Sequence, residues 1–523
     1  MTAHKHPSLR NAPSDLINGN ALPLQGDAIR SFNPARPADT VWQASPVLDH
    51  VDLAVDAAAR ALPAWRATSR EDRFALLRKY RDLCKARAAD IANLICDETG
   101  KAWWECVQEA GALSAKVDIT LDDAAHSGLA RVTDFSFPLT QSRVAACRFR
   151  PHGVMAVIGP FNFPAHLPNG HIIPALALAN TIVLKPSDKT PAVGQLLAEL
   201  FHEAGFPAGV VNVVHGAAET AKRLTAHDRI NGILFTGSWP VGRAILSANL
   251  DNPGRIVALE MGGNNPAIVL PDADLKQAVI EVARCAFNTT GQRCTSTRRV
   301  IVHEAVADRF IPALISAARA LVTGNPRGLP TNPPTPVFTG PIIREDARRA
   351  ALFFQDSLLS AGGESLLRAQ PLNDPSLHSG FYLTPGIVRV PRFSLSSDLS
   401  RDAGCDLEVF GPILRLSLTS NLDDALDQAN ASRFGLAASI FTHDKQAAHR
   451  FLHEARAGCV NVNTGTAGAS SKLPFGGLGH SGNHRPAGAF SLDYCAYPVA
   501  TMVEEDSTAT LAEGMSFDDA WVK

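Results

Sequence analysis

The sequence predicts an α/β protein with parallel sheets and more than one domain. Short β-branched runs alternate with helical segments along most of the chain. These runs are apolar throughout, which is typical of strands covered on both faces. The 523 residues exceed one ordinary core, and 46% hydrophobic with 19% charged residues is the composition of a soluble globular protein.

The N-terminal part of the chain changes character near residue 45. Residues 1–45 are polar and rich in proline, which predicts a partly extended arm. Three helical stretches follow at 48–67, 70–100 and 101–128, each with apolar residues three or four positions apart.

From residue 154 onward the strand signals begin. "VMAVIGP", "TIVLKPS", "GVVNVVHG" and "GILFTGS" each end in glycine, proline or serine, and helical segments separate them. Such βαβ alternation predicts a parallel sheet. A second alternation starts at "NPAIVL" and includes "RRVIVHEAVADRF" and "AASIFTHDKQAAHRF", which indicates a second α/β domain over about 263–477. The acidic, aperiodic residues 504–523 predict a loose tail.

Charge and hydropathy exclude several function classes. With 49 basic and 51 acidic residues the net charge is −2, so neither nucleic acid nor an anionic membrane is an expected partner. The start of the chain lacks the apolar core of a signal peptide. The most apolar stretch, "HIIPALALANTIVL", is broken by Pro174 and Asn180 and is too short to span a bilayer. We therefore expect a cytoplasmic protein.

The nine cysteines form no C-x-x-C pair, so no zinc ribbon, thioredoxin motif or other metal site is expected. Cys294 has unusual surroundings in "NTTGQRCTSTRR", residues 288–299, where its neighbours are polar. Structural cysteines usually lie among apolar residues. A buried thiol beside a polar loop and a catalytic nucleophile are both compatible with this pattern.

Two strand ends in the first half suggest a nucleotide site. "LFTGSWPVGRAIL" places Gly237, Ser238 and Gly242 at a turn from strand to helix, where a backbone can approach a phosphate. Lys185 ends a neighbouring strand at the edge where ligands of open α/β folds bind. Asp188 could accept a hydrogen bond from a ribose 2′-hydroxyl and repel a 2′-phosphate. An ordinary βα turn and a solvated lysine are the alternatives.

Two further side chains have catalytic potential. Asn162 lies between two phenylalanines after the strand "VMAVIG", where its amide could stabilise an oxyanion. Glu260 follows an apolar strand, which favours a raised pKa and a general-base role. For Glu260 the alternative is an ion pair with a nearby basic residue.

Taken in order, these motifs resemble the aldehyde dehydrogenase family from about residue 30 to 503. The matching motifs are "NFP" from Asn162, "KPS" from Lys185, "FTGS…G" from Phe235, "LEMGG" from Leu259, "GQ-x-C" ending at Cys294, "E-x-FGP" from Glu408 and "PFGG" from Pro474. The resemblance implies that the Cys294 thiolate attacks an aldehyde. Asn162 and the Cys294 N–H would hold the oxyanion, and Glu260 would activate water to hydrolyse the thioester.

The resemblance also implies NAD as the cofactor. Glu408 would bind the nicotinamide ribose with Phe410 beside it, Lys185 the adenosine ribose, and Ser238 the pyrophosphate. The other expected cofactor contacts are Ser187, Asp188, Gly237, Trp239, Pro240, Val241 and Gly242. Three departures from the family stand near this site. Phe161 replaces a frequent tryptophan, Trp239-Pro240 is unusual, and Lys189 could attract a 2′-phosphate.

For the domains, the resemblance implies an NAD-binding domain at 1–128 and 151–262 and a catalytic domain at 263–477. An oligomerisation arm at 129–150 and 478–503 would cross to a partner in a homodimer or homotetramer, and 504–523 would be a flexible tail. A catalytically silent relative would be expected to lose Cys294 or Glu260. An acylating, CoA-dependent member would be expected to lack glutamate at 260.

The substrate is expected to be a small aldehyde with acidic or amide groups. The loop "NTGTAGASSKL" is small and polar, and nearby segments supply basic or amide side chains. These are His166, Asn169, His171, Arg293, His484 and Arg485. "HLPNGH", "EMGGNNP", "GQRCT", "GNHRP" and "DYCAYP" resemble the branch that oxidises N-succinyl-L-glutamate 5-semialdehyde. Another acidic semialdehyde, such as succinate semialdehyde, is the alternative.

Overall fold

Two seven-stranded sheets and a three-stranded arm organise the structure. The computed structural model describes residues 5–124, 127–329, 331, 335–372, 374, 377, 379–395, 404–468, 470–506 and 509–523. Up to Glu260 the strands are β1 (Ser14–Ile17), β2 (Asn20–Pro23), β3 (Ile29–Asn33), β4 (Arg36–Ala44), β5 (Phe135–Pro138), β6 (Arg143–Pro151), β7 (Val154–Ile158), β8 (Thr181–Lys185), β9 (Val211–Val213), β10 (Gly232–Thr236) and β11 (Ile256–Glu260).

The helices of the same half surround these strands. They are α1 (His50–Ala67), α2 (Arg70–Ala86), α3 (Ala88–Thr99), α4 (Trp103–Thr120), α5 (Gly128–Arg131), α6 (His166–Ala177), α7 (Pro191–Glu203), α8 (Ala218–Ala226) and α9 (Trp239–Ala248).

The second half repeats the alternation of strand and helix. Its strands are β12 (Asn265–Val269), β13 (Thr297–His303), β14 (Glu364–Leu367), β15 (Gly386–Arg389), β16 (Ile413–Thr419), β17 (Phe434–Gly435), β18 (Ala437–Phe441), β19 (Cys459–Val462), β20 (Pro474–Phe475), β21 (Leu478–Gly479), β22 (Ala487–Gly488) and β23 (Ala496–Glu504). Its helices are α10 (Leu275–Phe287), α11 (Glu304–Arg319), α12 (Glu345–Ser360), α13 (Leu422–Ala429) and α14 (Lys445–Glu454).

The first sheet has the order β11-β10-β7-β8-β9-β1-β2 and is parallel from β11 to β9. The inner strands β7, β8 and β10 are buried along their whole length, and the edge strand β11 is buried over its last three residues, as apolar parallel strands should be. In the register, Thr236 pairs with Glu260 and Ile158 with Lys185. The carboxyl ends of these strands therefore bring Lys185 and Glu260 to one edge.

The second sheet has the order β14-β15-β16-β13-β12-β18-β19. All its neighbouring strands are parallel except the edge strand β14. Four residues separate β11 from β12, so the chain passes directly from the end of one sheet into the middle of the other. The predicted α/β class with parallel sheets is confirmed.

The arm is an antiparallel sheet in the order β23-β6-β5. β6 and β23 pair without a break from Ala496↔Pro151 to Glu504↔Arg143. Apart from one terminal residue each, both strands lie in the segments expected to form the arm, 129–150 and 478–503. Among the described helices, none has the length and apolarity needed to cross a membrane.

Two expectations for the N-terminal region were wrong. Residues 14–44 are not an arm but hold four strands, and β1 pairs with β9 in the first sheet. Its Asp15 is fully buried because the carboxylate is matched by two histidines: His215 Nδ1 at 2.8 Å and His50 Nδ1 at 2.7 Å. The helical stretch 70–100 is two helices, because the backbone departs from helical angles at Arg87 (φ −103°, ψ 19°).

Candidate active site

Cys294 lies in a tightly constrained turn between α10 and β13. Thr289 and Thr290 have φ of 52° and 55° inside the preceding 3₁₀ turn, and Gly291 has φ of 70°. Such conformations persist only where the surroundings fix them. The Asn265 side-chain amide donates to the carbonyls of Cys294 (2.7 Å) and Ser296 (2.8 Å), so β12 holds the turn from the sheet side.

Asn162 reaches the same turn from the end of β7. Its Nδ2 donates to the Gln292 carbonyl at 2.9 Å, and the side chain is 5% exposed. An amide nitrogen carries two N–H groups, so one donor remains available beside Cys294.

A buried ion pair fixes the loop that carries Asn162. Lys101 and Glu109 form this pair, and the Lys101 ammonium also donates to the Asn162 carbonyl at 3.1 Å. Glu109 Oε1 accepts from the N–H groups of Ala165 (3.0 Å) and His166 (3.1 Å). Three contacts from Lys101 and Glu109 therefore hold the loop that carries the Asn162 amide.

Glu260 ends β11 with its carboxylate buried and, among the described residues, without a hydrogen-bond partner for either oxygen. Burial raises the pKa of Glu260 well above its usual range. The Glu408 charge adds to the rise and the Arg485 charge opposes it. The predicted alternative of an ion pair is not found, since the described ion pairs do not include Glu260.

Cys294, the expected nucleophile, is surrounded by groups that favour its neutral thiol form. Burial raises the pKa of Cys294 well above that of a free cysteine, and the charges of Glu260 and Glu408 raise it further. Arg293 and Arg298 act in the opposite direction. Because the thiolate is the reactive form, attack on an electrophile requires a proton acceptor nearby.

A cavity of about 140 Å³ opens in front of Cys294. Its wall combines aromatic rings, small residues and cationic or polar groups. Phe163, His166, Arg293, Phe475 and Gly488 are among the residues that line it.

Three basic groups surround this cavity. Arg293 stacks over the Phe163 ring at 4.8 Å, and its Nη1 is 4.0 Å from Glu105 Oε1. His166 Nδ1 is buried and has no hydrogen-bond partner in the described part of the chain, and burial lowers the pKa of this histidine to about 4. Lys116 is buried behind the wall, where its Nζ donates to the Gly488 carbonyl (2.8 Å) and Ser491 Oγ (2.6 Å).

Lys116 has no described carboxylate oxygen within 4.0 Å of its ammonium. Burial lowers the pKa of this lysine to about 8, so it remains largely charged at neutral pH. Sequence reasoning missed Lys116 and Glu109. Both are charged residues on the buried face of α4, where an amphipathic helix normally has apolar residues. A charged residue at such a position is the feature of the sequence that could have identified them.

Three residues expected to form a polar pocket make contacts elsewhere in the structure. Asn169 accepts from Tyr80 (2.8 Å) and donates to the Leu113 carbonyl (3.2 Å) inside the core. His171 is held between Tyr494 (2.8 Å) and Thr236 (3.0 Å). Arg485 donates to the Gly477 carbonyl at 2.8 Å and acts electrostatically on Glu260 rather than lining the cavity. Only His166 and Arg293 of the expected set line the cavity.

The expected nucleotide contacts gather at the edge of the first sheet. Lys185 Nζ donates to the carbonyls of Pro186 (2.6 Å) and Gly216 (2.7 Å), which leaves one N–H of the ammonium. Ser187 Oγ accepts from the Lys189 N–H at 3.2 Å, and Asp188 beside it is partly exposed. Burial lowers the pKa of Lys185 to about 8.

The turn into α9 leaves an open helix start. Ser238, Pro240 and Val241 are exposed, and no side chain caps the first turn. A Cβ at Gly242 would lie 2.3 Å from Met261 Sδ, so glycine allows the close packing of this helix. Trp239 stacks flat on His480, with ring centroids 3.9 Å apart, and thereby ties α9 to the segment after β21.

Glu408 and Phe410 lie between this turn and Cys294. Glu408 Oε1 accepts from the Gly263 N–H at 2.9 Å, and a Cβ at Gly262 would collide with the other carboxylate oxygen at 1.7 Å. Burial raises the pKa of Glu408 to about 7. Phe410 meets Phe161 edge-on, with centroids 6.0 Å apart. Its ring also receives the Arg298 guanidinium at 5.2 Å.

Comparison with known proteins gives consistent relatives. The sequence profile of the aldehyde dehydrogenase family matches residues 23–499. N-succinylglutamate 5-semialdehyde dehydrogenase of Novosphingobium aromaticivorans is 41% identical over 492 residues, which are 94% of this chain and 99% of that protein. N-succinylglutamate 5-semialdehyde dehydrogenase 2 of Caulobacter vibrioides is 42% identical over 488 residues, 93% of this chain and 95% of that protein.

A solved structure agrees with these sequence matches. The crystal structure of PnpE in complex with nicotinamide adenine dinucleotide superposes with a TM-score of 0.86 at 30% sequence identity. The match covers 95% of this chain and 98% of that one.

Proposed function

The chain belongs to the aldehyde dehydrogenase family, and we propose that it oxidises N-succinyl-L-glutamate 5-semialdehyde to N-succinyl-L-glutamate with NAD. The relatives that carry this activity in their names match more than nine-tenths of the chain at about 40% identity. The observation that carries the proposal in this structure is the cationic surrounding of the cavity, because the substrate bears two carboxylates and an amide.

Two charged groups contribute to that surrounding. Arg293 lines the cavity, and Lys116 donates to the Gly488 carbonyl in its wall. His166 also lines the cavity but is neutral, because burial lowers its pKa to about 4. A buried ammonium without a carboxylate partner is costly, so its presence beside a substrate cavity favours an anionic ligand. A substrate carboxylate would lower this cost by supplying the missing negative charge.

The residues present fit a dinucleotide. The open start of α9 would bind the pyrophosphate. The free N–H of Lys185 would donate to an adenosine ribose hydroxyl, and the Glu408 carboxylate would accept from the nicotinamide ribose. Gly262 supports the fit, since any side chain there would displace Glu408. When bound, NAD accepts a hydride from the substrate carbon.

Lys189 favours NAD over NADP. Its ammonium lies 4.6 Å from the centre of the Phe161 ring instead of extending into solvent beside Asp188. This cation–π contact holds the Lys189 ammonium at the Phe161 ring, while the Asp188 carboxylate is left to repel a 2′-phosphate. Phe161, which replaces the family's frequent tryptophan, thus has the role of holding the Lys189 ammonium at its ring.

Cys294, Asn162 and Glu260 perform the covalent chemistry in this proposal. The Cys294 thiol, on losing its proton, adds to the aldehyde carbon, and the free Asn162 N–H with the Cys294 backbone N–H stabilises the oxyanion. After oxidation a thioester remains. Glu260 then removes a proton from water, which attacks the thioester and releases the acid. Its raised pKa makes the carboxylate a stronger base than an exposed glutamate.

The deciding experiment is an NADH-production assay across semialdehydes with and without the succinyl group. We expect kcat/KM for the succinylated compound to exceed that for bare glutamate semialdehyde by about two orders of magnitude, since two lost polar contacts cost about 1–3 kcal/mol each. Bare glutamate semialdehyde cyclises, so rates must refer to its open form. Equal values for the two would refute this substrate, and a higher value for succinate semialdehyde would favour the alternative acidic semialdehyde.

A further inference from the structure

An arginine-rich cleft lies at the base of the arm and shares no lining residue with the catalytic cavity. It encloses about 520 Å³. Four arginines line it, Arg66, Arg70 and Arg73 from the end of α1 and the start of α2, and Arg150 from β6. Phe149 and Tyr497 of the arm supply aromatic surface beside them.

These guanidinium groups have no carboxylate oxygen within 4.0 Å among the described residues. Arg66 donates to the Pro151 carbonyl at 3.1 Å, Arg73 to that of Ala177 at 3.2 Å, and Arg70 lies over the Phe74 ring. The one acidic lining residue, Asp134, already accepts from the Phe149 N–H and pairs with Arg148. The cleft is therefore a concentrated positive site in a chain whose net charge is −2.

The C-terminal segment, residues 509–523, has the complementary chemistry. It carries Glu513, Asp518 and Asp519 among exposed apolar side chains, and it lies beyond the stretch that matches the family profile. Phe517 and Trp521 are 52% and 67% exposed, although their rings meet edge-on at 5.6 Å. Asp518 accepts from the Ala520 N–H at 2.8 Å and so caps the short 3₁₀ turn 519–522. Phe517 and Trp521 are thus held in a defined turn while their rings remain exposed. Exposed apolar side chains in a defined arrangement indicate a segment that docks on another surface.

We propose that this C-terminal segment docks in the arginine-rich cleft of a second copy of the chain. Its carboxylates would pair with the arginines, and Phe517 and Trp521 would pack on the arm's aromatic surface. The structure of the single chain favours a second copy over the segment's own cleft. No residue of 509–523 lines the cleft of its own chain, and Phe517 and Trp521 remain exposed there. In a two-fold dimer the exchange would be reciprocal.

A photo-crosslinker identifies the occupant directly. In the full-length protein, p-benzoylphenylalanine in place of Trp521 should, on irradiation, give a covalent dimer whose crosslinked peptide contains residues 66–73 or 149–151. A crosslink to these residues within one chain, or to any other surface, overturns the proposal.

Charge variants test the electrostatic part of the proposal. Arg70 and Arg150 are both exposed, so Arg70→Glu/Arg150→Glu should fold normally. We expect chymotrypsin to cleave after Phe517 about tenfold faster in this variant, because release of the segment increases its open population. Arg60→Glu is the matched control, since Arg60 is exposed on α1 outside the cleft, and it should leave the rate unchanged.

Reversing the charges of the C-terminal segment should release it from the cleft in the same way. Asp518→Lys/Asp519→Lys should match the cleft variant, and combining the two pairs of changes should restore slow cleavage. Cleavage at the wild-type rate in both double variants overturns the proposal.

Discussion

At the scale of single residues, the Glu260 charge suppresses ionisation of the Cys294 thiol. Burial raises the pKa of both Cys294 and Glu260, and the negative charge of Glu260 raises the pKa of Cys294 further. The thiol proton must therefore leave the site before Glu260, as a carboxylate, can remove a proton from water in the later hydrolysis.

Replacing the nucleophile tests the centre of this arrangement. We expect Cys294→Ala to lower NADH production by about 10⁴-fold or more, because no covalent adduct can form. The fold should survive, since the Cys294 contacts that position the turn are made by its backbone carbonyl. Retention of activity in a variant with a normal circular dichroism spectrum would remove Cys294 from the mechanism.

Replacing the base should separate the two chemical steps. Glu260→Gln keeps the side-chain shape but cannot accept a proton, so we expect an initial burst of NADH followed by steady turnover slowed about 10²–10⁴-fold. Stopped-flow absorbance shows both phases. Loss of the burst as well would place Glu260 before hydride transfer.

The raised pKa of Glu260 also sets the direction of the pH dependence. The proposed base acts when it is deprotonated, so steady turnover of the wild-type enzyme should rise with pH over a range above the usual pKa of a glutamate. In Glu260→Gln this rise should disappear from the slow phase, and its persistence there would assign it to another group.

Lys116 provides a test of substrate charge. We expect Lys116→Met to lower kcat/KM for the succinylated semialdehyde about tenfold or more, the equivalent of roughly 1.4 kcal/mol, while butanal oxidation changes little. Lys222→Met removes the same charge from an exposed site on α8 and should change neither substrate. Equal losses for both aldehydes in Lys116→Met would indicate a structural role only.

At the scale of elements, α4 acts as the support for the loop that carries Asn162. The Glu109 carboxylate binds two successive N–H groups of that loop, and Lys101 binds the Asn162 carbonyl. Ion pairs buried this deeply add little net stability but are costly to break. Their value here is in fixing the position of a catalytic donor.

Breaking this support should affect the chemical step. We expect Glu109→Gln to leave Lys101 without its counter-charge, which costs about 3–5 kcal/mol for a buried pair, and to lower kcat more than it raises KM. Thermal unfolding gives the stability loss and steady-state kinetics the split. Glu219→Gln, which breaks an exposed pair with Lys222, is the control and should leave kcat and the melting temperature unchanged. A change confined to KM would contradict the positioning role.

The strands were more predictable than the pocket. β7, β8 and β10 could be predicted from apolar runs that end in glycine or proline. A parallel strand that is buried on both faces must be apolar along its whole length, so the sequence itself shows where such a strand lies. The pocket depends on contacts between distant segments. Nothing local distinguishes His166, whose ring lines the cavity, from His171 five residues on, which is satisfied within the core. The buried Asp15 was missed for the same reason, since its partner His215 is 200 residues away.

At the scale of the whole molecule, the groups proposed for catalysis come from both sheets. Glu260 ends the last strand of the first sheet, whereas Asn265 begins β12 of the second and holds Cys294. We expect the short connection between these strands to fix the proposed base and nucleophile relative to each other. A change that loosens the packing of one sheet on the other should therefore weaken activity before it unfolds either.

The arm implies an assembly larger than one chain. β5 is exposed at all four positions, and its Phe135 and Phe137 are 55% and 50% exposed. Met502 of β23 is 72% exposed and aligns with Phe137 through Ala145 of β6, so it lies on the same face of the sheet. A contiguous apolar strand surface of this kind requires a cover, because it would otherwise promote aggregation.

We expect at least a dimer in multi-angle light scattering at micromolar concentration. Phe135→Lys/Phe137→Lys should shift the mass toward that of a monomer, while Arg60→Glu, away from the arm, should not. A wild-type protein with the mass of one chain, 55.7 kDa, at that concentration would contradict the assembly.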